Sequence, residues 1–139
     1  MAGVRAVLDT QVWLDWLVFD DPSAAPIREA QAAGRVEIVI DAACEAGLVR
    51  VLAYDLGKFS LAPSEQTECV ARCRSVAKRV PAGSAAELPR CKDPDDQKFL
   101  KLAASAGAQL LISKDLAVLE LAPRVTRFRI LAPKDCGDL

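Results

Sequence analysis

Short, uniformly apolar runs alternate along this chain with stretches whose apolar residues recur every three or four positions, a pattern that predicts buried strands alternating with helices. Residues 4–8 read as a first strand, and the Asp9-Thr10 pair after it offers N-cap chemistry to a helix carrying Val12, Trp13, Trp16 and Leu17. Pro22-Ser23 interrupts, and a second helix is predicted over residues 24–33, stopped by Gly34, where a positive φ is easiest. A second strand follows at 36–40. Asp41 then caps a helix over 42–53 whose apolar stripe is Cys44, Leu48, Val51 and Leu52. Pro63 stands just inside a helix running to about residue 78, with Val70 and Ala77 facing inward, and residues 76–80 carry a weak third strand. Pro81, Gly83 and Pro89 mark a surface loop over 81–92. Asp93 and Pro94 open a helix that reaches about residue 106 and is ended by Gly107. A strand at 110–112, a short helix over 116–121 ending near Pro123, and a strand at 128–131 complete the series.

Strands this uniformly apolar do not suit a sheet with one wet face. They predict an α/β fold, a three-layer α/β/α sandwich with a mainly parallel sheet of four to five strands. A length of 139 residues leaves room for one domain, 1–139. Charge narrows the function classes: 19 acids against 18 bases give −1, which removes the strong basic field of a duplex-binding arm. Any nucleic acid must be held by local chemistry. Each apolar run is cut by charge before it could span a bilayer, and Asp9 arrives too early for a secretory signal, so a cytoplasmic location without a membrane partner is expected. Five cysteines (Cys44, Cys69, Cys73, Cys91, Cys136) cannot all pair and are expected as free thiols, and without any histidine a zinc site has little to build from.

In an open α/β sheet, ligands bind beyond the carboxyl ends of the strands, so acids placed there are the candidates. Asp9 ends the first strand, Asp115 lies three residues past Ile112, and Asp96 stands in the first turn of the helix feeding that last strand. Capping is a competing explanation for each, because the positive end of a helix favours carboxylates by about 0.3–1 kcal/mol. Asp96 is distinguished by direction: it precedes Phe99 and Leu100 by three and four residues and so tops the inward stripe. Two carboxylates about 4 Å apart repel by about 4 kcal/mol at an effective dielectric near 20, and a divalent cation removes that cost. An oxygen-only ligand set points to Mg2+ or Mn2+, and a phosphodiester is the natural substrate for such a site.

These residues resemble the PIN-domain family. Val7-Leu8-Asp9-Thr10-Gln11-Val12 is similar to its opening, an apolar strand followed by Asp-Thr-Asn. The run Asp93-Pro94-Asp95-Asp96-Gln97-Lys98-Phe99-Leu100, then Ala103, Gly107-Ala108 and Leu111-Ile112-Ser113-Lys114-Asp115, resembles the bacterial branch that serves as toxins of toxin–antitoxin pairs. The resemblance implies a PIN-like sandwich and a Mg2+- or Mn2+-dependent endoribonuclease acting on single-stranded RNA. It implies acids at Asp9, Asp96 and Asp115 as catalytic and metal-holding residues, Ser113 at the hydroxyl position, a homodimer, and a small antitoxin protein as partner.

Two positions depart from the family pattern. Gln11 stands where the family has Asn, so any bond from it to Asp9 would have to be re-aimed. Gly47 falls where the family places a helix Glu, and Glu45, two residues away, is about 200° round the helix and projects from the other flank. The alternative reading is therefore a catalytically impaired PIN-like module that acts by binding RNA or protein. An aspartyl-phosphate enzyme is disfavoured because position 11 is Gln, not a second Asp. Arg72, Arg74, Lys78 and Arg79, then Arg90 and Lys92, then Arg124, Arg127 and Arg129 form basic groups, for which solubility is the simpler explanation. Trp13, Trp16 and Phe19 have helical spacing that suits a core or an oligomer surface better than base stacking.

Overall fold

A run of five parallel strands organises the chain. The computed structural model describes residues 3–83 and 87–139. Strand β1 (Val4–Leu8) leads into α1 (Thr10–Leu17); α2 (Ala25–Ala32) precedes β2 (Val36–Ile40). Helices α3 (Ala42–Leu52) and α4 (Pro63–Val76) precede β3 (Ala77–Arg79). Then come α5 (Gln97–Ser105), β4 (Leu110–Ile112), α6 (Leu116–Leu119) and β5 (Arg129–Leu131). The sheet order is β3-β2-β1-β4-β5, every pairing parallel, in an α/β fold of the kind the periodicity predicts. No helix among the described residues is long and apolar enough to cross a membrane.

The strand order places a topological switch point between β1 and β4, because the chain leaves β1 towards one edge and returns to β4 on its other side. Register makes the two strands end level: Leu8 pairs with Ile112, and the Asp9 amide donates to the Ile112 carbonyl at 3.0 Å. The residues that follow these strands, Asp9 and Ser113, therefore start side by side. All three β4 side chains are buried, as are Ala6, Val7 and Leu8 of β1. Helix α5 lies against both strands through Phe99, Leu100, Leu102 and Ala103, and it also touches α3.

Several boundaries differ from the predicted ones for local reasons. Helix α4 stops at Val76 and passes directly into β3, since β2 offers Ile38 to Ile40 as a ladder for Ala77 to Arg79. Its inward positions are Cys69 and Cys73; Val70 is only half-buried. The turn opened by Asp93 is 3-10 over Pro94–Asp96, and α proper begins at Gln97. The last turn before β5 is likewise 3-10, Ala122–Arg124. The predicted loop over 81–92 is without helix or strand where it is described, and its residues 84–86 lie outside the described part. All five cysteines are free and buried. Trp13 and Trp16 stack in the core at 5.6 Å, whereas half-buried Phe19 meets Phe59 edge-on at 5.0 Å. Glu45, on the flank predicted for it, is spent on Arg74 and Arg79, tying α3 to α4 and β3.

Two leucines five positions apart give a direct check on this packing. Leu111 is fully enclosed while Leu116 is 78% exposed. Leu111→Ala is expected to lower urea-unfolding stability by about 2–5 kcal/mol and Leu116→Ala by less than about 0.5 kcal/mol; equal losses would contradict the register of β4.

Candidate metal centre

Asp9 is set by the chain that surrounds it. As N-cap of α1 it accepts the Val12 amide at Oδ1, 3.0 Å away. Its Oδ2 accepts the Ser113 hydroxyl in a short hydrogen bond and the Lys114 amide at 3.3 Å. Ser113 is itself enclosed, and its Oγ accepts the Asp115 amide at 3.0 Å, so one hydroxyl couples the ends of β1 and β4. Burial pushes the Asp9 carboxyl above its ordinary range, against the lowering effect of its three donors.

Asp115 and Asp93 also act as caps, accepting the amides of Ala117 at 2.8 Å and Asp95 at 3.0 Å. Asp96 does not. It makes no cap hydrogen bond for α5, and its Oδ2 is buried with no partner among the described residues. Oxygens of Asp93, Asp96 and Asp115 lie within 4.8 Å of one another, the only such group found among the described residues. The Asp115 carboxyl is the neighbour able to engage Asp96, and two carboxyls bond only by sharing a proton. Burial first, then that contact and the charges of Asp115, Asp93 and Asp9, push Asp96 up to about 7.

The structure thus gathers two of the three predicted acids, Asp96 and Asp115, and adds Asp93, which capping alone had accounted for. Asp9 is outside the 4.8 Å group. It stands one hydrogen-bonded step behind, through Ser113, and its charge is felt at Asp96. Gln11 does not orient Asp9. Its amide donates to Asp15 Oδ1 at 3.0 Å, and Asp15, almost wholly buried, also holds the Lys114 ammonium at 2.8 Å. Asp15 thereby anchors the residue whose amide caps Asp9 Oδ2. The sequence carries a signal for it, a lone acid among the apolar positions Val12, Trp13 and Trp16.

Beside Asp96 opens a cleft of about 340 Å³ lined by Thr10, Gly47, Arg50, Tyr54, Asp95 and Lys98 among others. Gly47 contributes no carboxylate, and Lys98 Nζ occupies the space above it, 2.5 Å from where a Cβ would stand. A larger cavity of about 470 Å³ lies along β2 and β3 near Gly34 and Lys78, away from the acids. The donor chemistry at the switch point fits a hard divalent cation. Three carboxylates bring oxygens within 4.8 Å of one another, and Asp96 among them has an oxygen buried without a hydrogen-bond donor, a costly state that a cation relieves.

An acid whose folded-state pKa is raised binds its proton more tightly folded than unfolded, so the stability it contributes is full below about pH 4 and is lost as pH rises towards 7. In chelator-containing buffer at pH 8, Asp96→Asn is expected to raise Tm by a few degrees, about 0.5–1 kcal/mol after solvent screening, and to flatten the fall of Tm between pH 4 and 7. An unchanged or lowered Tm would mean that Asp96 is a stabilising cap.

The PIN domain family matches this chain over residues 5–117. No curated protein matches it. Among solved structures, the crystal structure of VapBC2 from Rickettsia felis bound to a DNA fragment from their promoter contains a chain with the same fold. Its TM-score is 0.63 at 12% identity, over 92% of this chain and 98% of that one. A family match spanning most of the chain, on a parallel sheet with carboxylates collected at its switch point, establishes that the protein belongs to the PIN domain family.

Proposed function

We propose that this chain, a single domain over residues 1–139, is a Mg2+- or Mn2+-dependent endoribonuclease that cleaves single-stranded RNA, with Asp9, Asp96 and Asp115 as its essential acids. The observation that carries the reading is Asp96 Oδ2, a buried oxygen without a donor, on a carboxyl that lies beside that of Asp115. A fold needing these acids only as caps has no use for that atom.

Asp96 and Asp115 would hold the cation, with exposed Asp93 at their side. When bound, such a cation neutralises phosphate charge and acidifies water, work that requires no histidine. The chain's own residues supply position. Ser113 fixes the spacing between Asp9 and the Asp115 backbone, and the Lys114 amide keeps Asp9 Oδ2 aimed at the strand ends. Asp96 Oδ2, which takes no donor from the described residues, would be left free for the cation.

We further place the protein as the toxin of a toxin–antitoxin pair, acting in the cytoplasm as a homodimer with a small antitoxin protein as partner. The resemblance of the Asp93 to Asp115 segment supports this, as does the shared fold with a chain of VapBC2, itself bound to promoter DNA. A second reading, an impaired module that binds RNA or protein without cutting, draws on Gly47, where Lys98 stands in place of any acid.

Two measurements separate these readings. Mn2+ at about 100 times its dissociation constant is expected to stabilise the wild type by about 2.7 kcal/mol, and this gain should vanish in Asp96→Asn. Cleavage of a labelled single-stranded RNA is expected to fall at least about 100-fold in Asp9→Asn, Asp96→Asn and Asp115→Asn. Metal stabilisation without cleavage in the wild type would favour the binding module, and identical metal responses in wild type and Asp96→Asn would exclude the proposed centre.

A further inference from the structure

The cleft beside the carboxylates has features that metal binding does not use. Lys98 is half-buried, its ammonium lying 5.3 Å from the centre of the Phe99 ring and directly above Gly47. It forms no ion pair and no side-chain hydrogen bond among the described residues, although Asp95 and Asp96 line the same cleft. Its ammonium therefore keeps three unspent donors above the Gly47 backbone. Arg50 Nη2 reaches the same spot, 3.9 Å from the Cβ position of residue 47, and likewise has no carboxylate partner among the described residues. At the cleft's rim stands Tyr54, a residue 52% exposed and one of the few large apolar side chains left open to solvent among the described residues.

Two unpaired cations, half-buried Lys98 and exposed Arg50, and an open aromatic ring, in a cleft that begins at Asp96, match the chemistry of a nucleotide: anionic phosphate beside a flat base. We propose that this cleft is a substrate subsite in which Lys98 and Arg50 receive a backbone phosphate of single-stranded RNA and Tyr54 stacks a neighbouring base. The assignment rests on the ribonuclease reading and gives it a substrate path. Gly47 acquires a purpose in it. Any side chain there would displace the ammonium, so glycine is kept at a helix position where alanine would be the better helix former.

The test uses the full chain, a fluorescein-labelled oligouridylate read by anisotropy, and cleavage of the same oligonucleotide in Mn2+. Lys98→Met and Tyr54→Ala are each expected to weaken binding about 5- to 10-fold and to raise KM more than they lower kcat. Lys98→Met should also reduce the slope of log affinity against log salt by about 0.7, one phosphate contact on a single strand, while Tyr54→Ala leaves it unchanged. Lys98→Arg should restore much of the loss. Gly47→Ala keeps the fold, holds or raises Tm, and still weakens binding, because its methyl group takes the place of Nζ. The Mn2+-dependent rise in Tm should persist in all four variants. Wild-type cleavage with unaltered binding in Lys98→Met and Tyr54→Ala overturns the subsite and leaves the ribonuclease standing. A Lys98 effect confined to metal affinity makes the ammonium a counter-ion of the carboxylates and also overturns it. Lys98-dependent and Tyr54-dependent binding without wild-type cleavage supports the subsite and overturns the ribonuclease. Absence of both binding and cleavage in the wild type overturns both.

Discussion

The repulsion between Asp96 and Asp115 is the constraint around which the rest of the site is organised. Folding brings these carboxyls together at the start of α5 and just past the end of β4, and partial burial thins the water that would screen them. No basic side chain among the described residues pairs with either acid. Lys114, the nearest basic residue in sequence, turns away to Asp15, and Lys98 makes no ion pair with either acid. The cost is carried by a parallel sheet whose two central strands end level, so the packing of β1, β4 and α5 sustains a charge arrangement that the metal-free protein does not need.

Much of the fold is legible in the sequence because its central strands are mostly buried. Val4–Leu8 and Val36–Ile40 are apolar runs each broken by one charged residue, Arg5 and Glu37, which pair with each other at 2.8 Å, and each run is followed by an aspartate that caps the next helix. Periodicity is less informative where two elements meet without a turn, as at Val76 and Ala77, since no residue type marks a helix that becomes a strand within one peptide. The 3-10 turn at Pro94–Asp96 is similarly silent, because the same Asp-Pro chemistry opens an α-helix.

Strand ends and helix direction single out Asp9, Asp96 and Asp115, yet the grouping around Asp96 depends on distances that spacing does not carry. Asp93 reads as a cap and is one, but the 3-10 turn also turns it towards Asp96. Asp15 and Lys114 form a contact between residues 99 apart, visible beforehand only as an acid interrupting an apolar stripe. Gly47 is legible as a departure from the family pattern. What fills the gap, a lysine from another helix, is a tertiary fact.

Crystals soaked in Mn2+ and measured at the manganese absorption edge test the central claim most directly. An anomalous peak between the Asp96 and Asp115 carboxylates, with Asp96 Oδ2 as a ligand, is the predicted result. No peak at the switch point, with Asp96 Oδ2 instead bonded to a donor from the protein, would contradict it.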